Sequence, residues 1–248
     1  MNILLSGMCG FMGKEVVKLA DNNYMNTTIV AGVDAFKKEE QSAPCYLSFD
    51  DAMGVDADCI VDFSHHSVTK SLLEYAISKN MPVVLCTTGH TPEEKELIFE
   101  AGKKIPVFFS ANMSIGVALL VELAKKAAST MVDADIEIIE KHHNRKIDAP
   151  SGTALMIYDE LKTVRQDAEA VLGRSGQSKR KPNDIGIHAV RMGNVVGEHE
   201  VILCTASQTI TLKHEAHNRA LFAEGALVAS TFIVNQAPGV YNMKDMLK

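Results

Sequence analysis

The segment Glu140-Lys141-His142-His143-Asn144-Arg145-Lys146-Ile147-Asp148-Ala149-Pro150-Ser151-Gly152-Thr153-Ala154 gathers two histidines, an arginine and two lysines just ahead of a helix start. Residues 135–139 before it alternate acidic and apolar side chains, the pattern of a half-buried strand. Behind it, Pro150-Ser151-Gly152-Thr153 reads as an N-cap, and Ala154, Leu155, Ile157 and Leu161 carry helical spacing in a helix expected to run from Gly152 to about Val171. A helix N-terminus offers free N–H groups and partial positive charge, which suit a carboxylate or phosphate. With Lys146 and two imidazoles beside it, the segment fits an acidic small molecule that gains or loses a proton. The same residues also have plainer roles. Adjacent histidines on an extended chain face opposite ways, so one of the pair packs or meets solvent and the two do not share a metal. Ser151 and Gly152 also serve as an ordinary cap.

Such a site needs a scaffold, and the N-terminal half supplies one. Ile3-Leu4-Leu5 is a short apolar run. It leads into Ser6-Gly7-Met8-Cys9-Gly10-Phe11-Met12-Gly13 and then into a helical pattern from Lys14 to Ala20. Strand, glycine turn and helix form the context in which a dinucleotide fingerprint has meaning. The glycines fall as G-x-x-G-x-x-G: Gly7 for the tight turn, Gly10 for approach of a pyrophosphate, Gly13 for helix–strand packing. Cys9 stands where the commoner spacing has its second glycine. A second strand, 28–33, ends in Asp34, 21 residues past Gly13, where an acid reads ribose hydroxyls. Further strands at 58–63, 82–86 and 106–110 alternate with helices at 64–79 and 92–103. Repeating βα units predict a Rossmann-like, doubly wound parallel sheet, whose ligands bind at the carboxyl ends of the strands. That rim carries Cys86-Thr87-Thr88-Gly89 and Ser110-Ala111-Asn112-Met113; His66, also nearby, either touches cofactor or, as the plainer expectation, faces solvent at a helix start.

From Ser114 a helix to Ser129 precedes the key segment. Strands at 186–191, 201–204 and 208–214 follow with no long helix between them, which predicts a second, α+β domain with a mixed or antiparallel sheet. Met192 to His199 reads as a connection, and 173–182 as a polar, basic loop that either stays solvated or closes over an acidic ligand. His214 and His217 have metal-compatible spacing but no third ligand in sequence, so no metal is expected. Arg219 onward, with Ala220, Leu221, Phe222, Ala226, Leu227 and Ile233, reads as a final helix. Net charge is −6 with no basic block, which argues against nucleic acid. No apolar run reaches membrane-spanning length, and the N-terminus enters a strand directly, so neither a membrane anchor nor a signal peptide is expected. Five scattered cysteines without C-x-x-C suit reduced thiols in a cytoplasm.

Residues 140–154 match every fixed position of E-x-H-H-x-x-K-x-D-A-P-S-G-T-A, and in this the chain resembles the 4-hydroxy-tetrahydrodipicolinate reductase (dihydrodipicolinate reductase) family. Residues 86–89 and 110–115 resemble the family's G-T-T-G and A-N-F/M-S-x-G segments, with Cys86 in place of a glycine. Residues 191–199 resemble R-G-G-x-V-V-G-E-H, with Met192 in place of another. The resemblance is also strong at 238–247. It implies NAD(P)H-dependent reduction of a cyclic dicarboxylate in the diaminopimelate route to lysine. It further implies His142 as acid/base, Lys146 as proton donor, and His143, Gly152 and Thr153 as substrate ligands. The dinucleotide would meet Gly7, Met8, Cys9, Gly10, Phe11, Met12, Asp34, Cys86, Thr87, Thr88, Ser110, Ala111, Asn112 and Met113. A lysine suits the donor role because it starts protonated and cationic neighbours ease proton release. Asp34 would repel a 2′-phosphate, and Ala35 follows where NADPH users of the family often carry arginine. NADH is therefore favoured, with Lys37 and Lys38 near enough in sequence to allow NADPH. The implied organisation is a dinucleotide domain at 1–113, a substrate and oligomerisation domain at 114–218 forming a homotetramer, and a return to the first domain at 219–248. Hinge closure would bring hydride donor and substrate together. Two rivals stand beside this reading. Another nicotinamide enzyme, such as an amino-acid dehydrogenase, explains residues 1–112 but not 140–154. A non-catalytic dinucleotide sensor needs no Lys146.

Overall fold

The computed structural model describes residues 1–36 and 42–248. In chain order the elements are β1 (Asn2–Ser6), α1 (Phe11–Asp21), β2 (Thr28–Val33), β3 (Cys45–Tyr46), β4 (Cys59–Asp62), α2 (Thr69–Ser78), β5 (Val83–Leu85), α3 (Pro92–Gly102) and β6 (Pro106–Phe109). Then come α4 (Ile115–Thr130), β7 (Asp135–His142), α5 (Gly152–Lys162), β8 (Glu169–Leu172), β9 (Asp184–Arg191), β10 (Gly197–Cys204) and β11 (Thr209–Ala216). Last are α6 (Ala220–Ile233), β12 (Gly239–Tyr241) and α7 (Met243–Met246). The chain divides into two compact units, 1–114 with 219–248, and 115–218.

The first unit is a seven-stranded sheet in the order β12-β6-β5-β4-β1-β2-β3, with every pairing parallel. Its strands read as unbroken apolar runs because helices cover both faces: α1 and α6 pack together, as do α2 and α3. Ile3, Leu4, Leu5, Ile60, Val61, Val83, Val84 and Leu85 are fully buried. Helix α3 opens with a capping box at Thr91, whose hydroxyl accepts the Glu94 N–H while Glu94 accepts the Thr91 N–H. Cys9, Cys45, Cys59 and Cys86 are buried and Cys204 is exposed, none of the five joined in a disulfide.

The second unit is a five-stranded mixed sheet in the order β11-β10-β7-β9-β8. β10 runs antiparallel to β7 and β11, while β9 runs parallel to β7 and β8. Ile136 and Ile138 of β7, Ile185 and Ile187 of β9, and Val201 and Leu203 of β10 share one apolar cluster with α4 and α5. Two expectations change here. The helix from Gly152 stops at Lys162, not near Val171, because its buried face (Ala154, Ile157, Tyr158, Leu161) is spent by Leu161. Arg165 then turns away to cap α4, donating to the carbonyls of Ala128 and Met131 at 3.1 and 2.6 Å and to that of Val132. Residues 169–172 become a strand paired with β9. The other change is that β10 starts at Gly197. Glu198 and His199 therefore belong to a strand, and His199 faces inward.

Candidate functional site

Alternation along β7 sends Ile136, Ile138, Glu140 and His142 to the helix-covered face. An aliphatic strand thus ends in a buried carboxylate and an imidazole. Register sets Arg191 of β9 beside His142 and His199 of β10 opposite Glu140. Glu140 is fully buried, and its carboxylate is saturated. Oε1 accepts from the Ser151 N–H at 2.9 Å and Arg191 Nη2 at 2.7 Å. Oε2 accepts from His142 Nδ1 at 2.6 Å and Arg191 Nη1 at 2.7 Å. Burial pushes this carboxyl up, but the bonds from Arg191, His142 and Ser151 outweigh it and hold it below the usual carboxylate range.

Beyond His142 the chain loops into α5. Ser151 caps that helix, its Oγ accepting the Ala154 N–H at 3.2 Å and lying 3.1 Å from His199 Nε2. Burial, with His142 adding to it, pushes His199 down to about 4. Its ring meets that of His142 edge-on at 5.2 Å. The partly buried Lys146 holds Asp148 Oδ1 at 2.7 Å. Asp148 also accepts from the Gly152 N–H, and chiefly through Lys146 its carboxyl lies below the ordinary range. The start of α5 together with Lys146 is therefore a place where a carboxylate is held. Gly152 is exposed, with open space where a side chain would project. His143 and Thr153 are partly buried and flank this loop. His142, His143, Lys146, Gly152 and Thr153 thus fall within one stretch from the end of β7 to the start of α5.

In the first unit, Gly7 has φ +79°, and a Cβ there would meet the Phe63 carbonyl at 2.5 Å. A Cβ on Gly13 would collide with the Gly7 carbonyl. The turn and α1 can approach this closely only through glycine. A cavity of about 700 Å³ opens beside them, lined among others by Ser6, Gly7, Gly10, Asp34, Phe36 and His65. Asp34 accepts from the Cys9 N–H at 2.9 Å and the Phe36 N–H at 2.8 Å. Ser6 Oγ, at the cavity wall, is buried and finds no hydrogen-bond partner among the described residues. A glycine cradle, an acid at the end of β2 and an unused hydroxyl fit an adenine dinucleotide. Lys37 and Lys38 lie outside the described residues.

The other expected cofactor positions divide by what they expose. Met8 is fully buried against Gly32, so only its backbone can face a ligand. Phe11 is exposed beneath the Arg219 guanidinium at 5.7 Å, and Met12 is partly buried. The Cys86 side chain points into the interior, where burial raises its thiol well above the ordinary range. Thr87 donates to Asp62 at 2.6 Å. Ser110 donates to the Asn112 carbonyl at 2.7 Å, and the Asn112 side chain accepts the Ser114 N–H at 2.9 Å. Ala111 is exposed, while Met113 is buried and packs its carbonyl against Gly225. Thr88 lies in the loop after β5. His66 is bonded to Glu94 at 2.9 Å, tying its turn to α3.

Sequence reasoning missed Asp62, Glu140, Arg191 and His199. Asp62 is a buried acid that takes hydroxyl bonds from both Ser64 and Thr87. Glu140 and Arg191 were within the motifs, and their signal was the pairing of a charged inward position with a partner 51 residues away. The basic loop is held rather than free. Arg174 pairs with Glu137 and Asp184, and Arg180 with Asp135 and Glu137. These acids sit at the starts of β7 and β9, so the loop's arginines lie roughly 20 Å of strand from His142. Met192 is exposed at a turn without left-handed φ, so its replacement of a glycine costs no backbone strain. Among the described residues no group of three or more His, Cys, Asp or Glu is arranged to hold a metal, and no helix is long and apolar enough to cross a membrane.

Two family profiles match the chain: dihydrodipicolinate reductase, N-terminus, over residues 1–113, and dihydrodipicolinate reductase, C-terminus, over 116–247. A 4-hydroxy-tetrahydrodipicolinate reductase of Clostridium novyi is 45% identical over 248 residues, covering 99% of this chain and 98% of that protein. One from Caldanaerobacter subterraneus subsp. tengcongensis is also 45% identical, with the same coverage. Among solved structures, a dipicolinate-bound dihydrodipicolinate reductase from Paenisporosarcina sp. TG-14 superposes with a TM-score of 0.81 at 25% identity, covering 98% of this chain and 97% of that one.

Proposed function

The chain belongs to the dihydrodipicolinate reductase family, NAD(P)H-dependent oxidoreductases of the diaminopimelate route to lysine, and we infer how its own residues carry out that reduction. A bound dihydronicotinamide would supply a hydride to C4 of the conjugated imine that forms when 4-hydroxy-tetrahydrodipicolinate loses its 4-hydroxyl as water; the enamine that results takes a proton to give tetrahydrodipicolinate. Residues 1–113 with 219–248 carry the dinucleotide. Gly7, Met8, Cys9, Gly10, Phe11 and Met12 offer backbone to the pyrophosphate, and Asp34 meets the adenosine ribose. Cys86, Thr87, Thr88, Ser110, Ala111, Asn112 and Met113 line the nicotinamide side. Residues 114–218 carry the substrate. Gly152 and Thr153, at the start of α5, hold one carboxylate, and His143 contacts substrate. Lys146 donates the proton and His142 serves as acid/base. The observation that carries this reading is Asp148: Lys146 and the Gly152 N–H already hold a carboxylate.

NADH is the favoured reductant, because the Asp34 carboxylate lines the cavity wall where a 2′-phosphate would have to sit. The sheet face carrying Glu198, Glu200, Ile202 and Cys204, opposite the helices, supports assembly as a homotetramer. A cytoplasmic enzyme with a small-molecule substrate, and without nucleic-acid or membrane partners, completes the reading.

The test is oxidation of NADH and of NADPH with substrate made in situ from pyruvate and aspartate semialdehyde by a coupled synthase. Wild-type protein should turn over, faster with NADH. Lys146→Ala should lower kcat on the order of 10²-fold or more while dinucleotide binding holds. Folded protein that binds dinucleotide yet turns over with neither reductant would sink the reductase reading and leave a sensor.

A further inference from the structure

An acid/base histidine must present one particular ring nitrogen, and its other nitrogen decides which. At His142 that second nitrogen, Nδ1, lies 2.6 Å from Glu140 Oε2. A carboxylate only accepts, so the nitrogen facing it carries the proton. Glu140 cannot swing away. Both its oxygens are gripped by the Arg191 fork, and the Ser151 N–H holds Oε1 in addition. It is also fully buried.

The rest of the surroundings leave Nε2 as the working nitrogen. A Cβ on Gly197 would come to 3.1 Å from it, so a glycine there leaves room beside that nitrogen that any other residue would crowd. The neighbouring His199 does not compete for Nε2. Ser151 Oγ already accepts the Ala154 N–H, so its hydroxyl proton is free to go to His199 Nε2 at 3.1 Å. Burial keeps His199 a neutral ring, and its edge-on contact steadies His142. The groups facing His142 are then Glu140 on its own strand, Arg191 on β9, and Gly197 and His199 on β10.

We propose that Glu140, clamped by Arg191 and the Ser151 amide, is a positioning residue that holds His142 as the Nδ1–H tautomer with Nε2 presented to the substrate. Nε2 is then the atom that takes up and returns a proton, while Nδ1 keeps its proton and donates it to Glu140 throughout. The assignment rests on the reductase reading for what Nε2 acts upon, but the tautomer is a property of the protein alone.

Nitrogen-15 NMR of histidine-labelled protein reads the tautomer, with the His142 signals assigned by their loss in His142→Asn. Wild-type protein should show a protonated Nδ1 and a bare Nε2. Glu140→Gln, whose amide can either donate or accept, should lose that fixed pattern. Its kcat should fall on the order of 10²-fold or more, the effect expected of a wrongly held catalytic imidazole, with substrate KM within about threefold. Arg191→Lys keeps the charge but loses the fork. It should lower kcat roughly tenfold at similar KM, and it serves if Glu140→Gln does not fold. A proton on Nε2 in the wild type, or full kcat in folded Glu140→Gln, overturns the proposal. The expected tautomer in a wild-type protein that does not reduce the substrate overturns the reductase reading instead.

Discussion

His199 is a buried base beside another histidine, and its acidity has a consequence for stability. In the unfolded chain an imidazole takes a proton near pH 6.5. In the folded protein, burial lowers the His199 value to about 4. Between those two values the unfolded state binds a proton that the folded state refuses. Stability is therefore intact above about 6.5 and lost as pH falls toward 4. Between pH 6.5 and pH 5 the loss amounts to about 2 kcal/mol, at roughly 1.4 kcal/mol per pH unit. Denaturant unfolding at pH 7 and pH 5 should show this loss in the wild type and a smaller one, by about that amount, in His199→Gln. Equal losses would mean that His199 is not refused its proton. The same residue marks what a linear reading leaves out. His142, His143, Lys146, Gly152 and Thr153 stand in one run of residues, so their types and spacing display the site. His199 and Arg191 reach it across strands, 48 and 51 residues from their partners, and no local pattern announces such contacts.

At the scale of elements, the glycine turn between β1 and α1 is a tight constraint. A Cβ on Gly13 would meet backbone, the carbonyls of Gly7 and Met8, which cannot rotate aside. Gly13→Ala should therefore push α1 off the turn, destabilise the first unit by about 1–3 kcal/mol and weaken dinucleotide binding. Gly10→Ala, at 3.2 Å from the Gly7 carbonyl, should be milder, and Gly54→Ala, with open space around it, is the control. Unfolding midpoints and dinucleotide titration check the order, and a Gly13→Ala protein indistinguishable from Gly54→Ala would refute it. Strand–turn–helix units and the Ser151 cap were legible because their signals are local: period, glycine spacing and capping residues. The end of α5 and the start of β10 were not. Residues 169–172 become a strand only because β9 lies alongside, and Gly197 to His199 extend β10 only because β7 and β11 flank them. Pairing with distant segments overrode the local pattern.

For the whole molecule, the uncovered face of the second sheet bears on assembly. The second sheet has helices on one face and leaves the other to charged and aliphatic side chains, with β11 and β8 at its edges. Unpaired sheet edges invite a second chain unless they are blunted, and here Lys213 and Glu215 charge the β11 edge, joined through Glu198 to Lys141 across the uncovered face. Sedimentation should show a tetramer, and a monomer at all concentrations would contradict it. The distribution of sulfur offers a second view of the same event. Four thiols are buried in the first unit, and the fifth, Cys204, stands exposed at the end of β10 on the uncovered face. An alkylating reagent should therefore modify one site per native chain and five after denaturation, which makes this protein its own reporter: the rate at which that single site reacts, followed across a dilution series, measures how firmly the copies cover it.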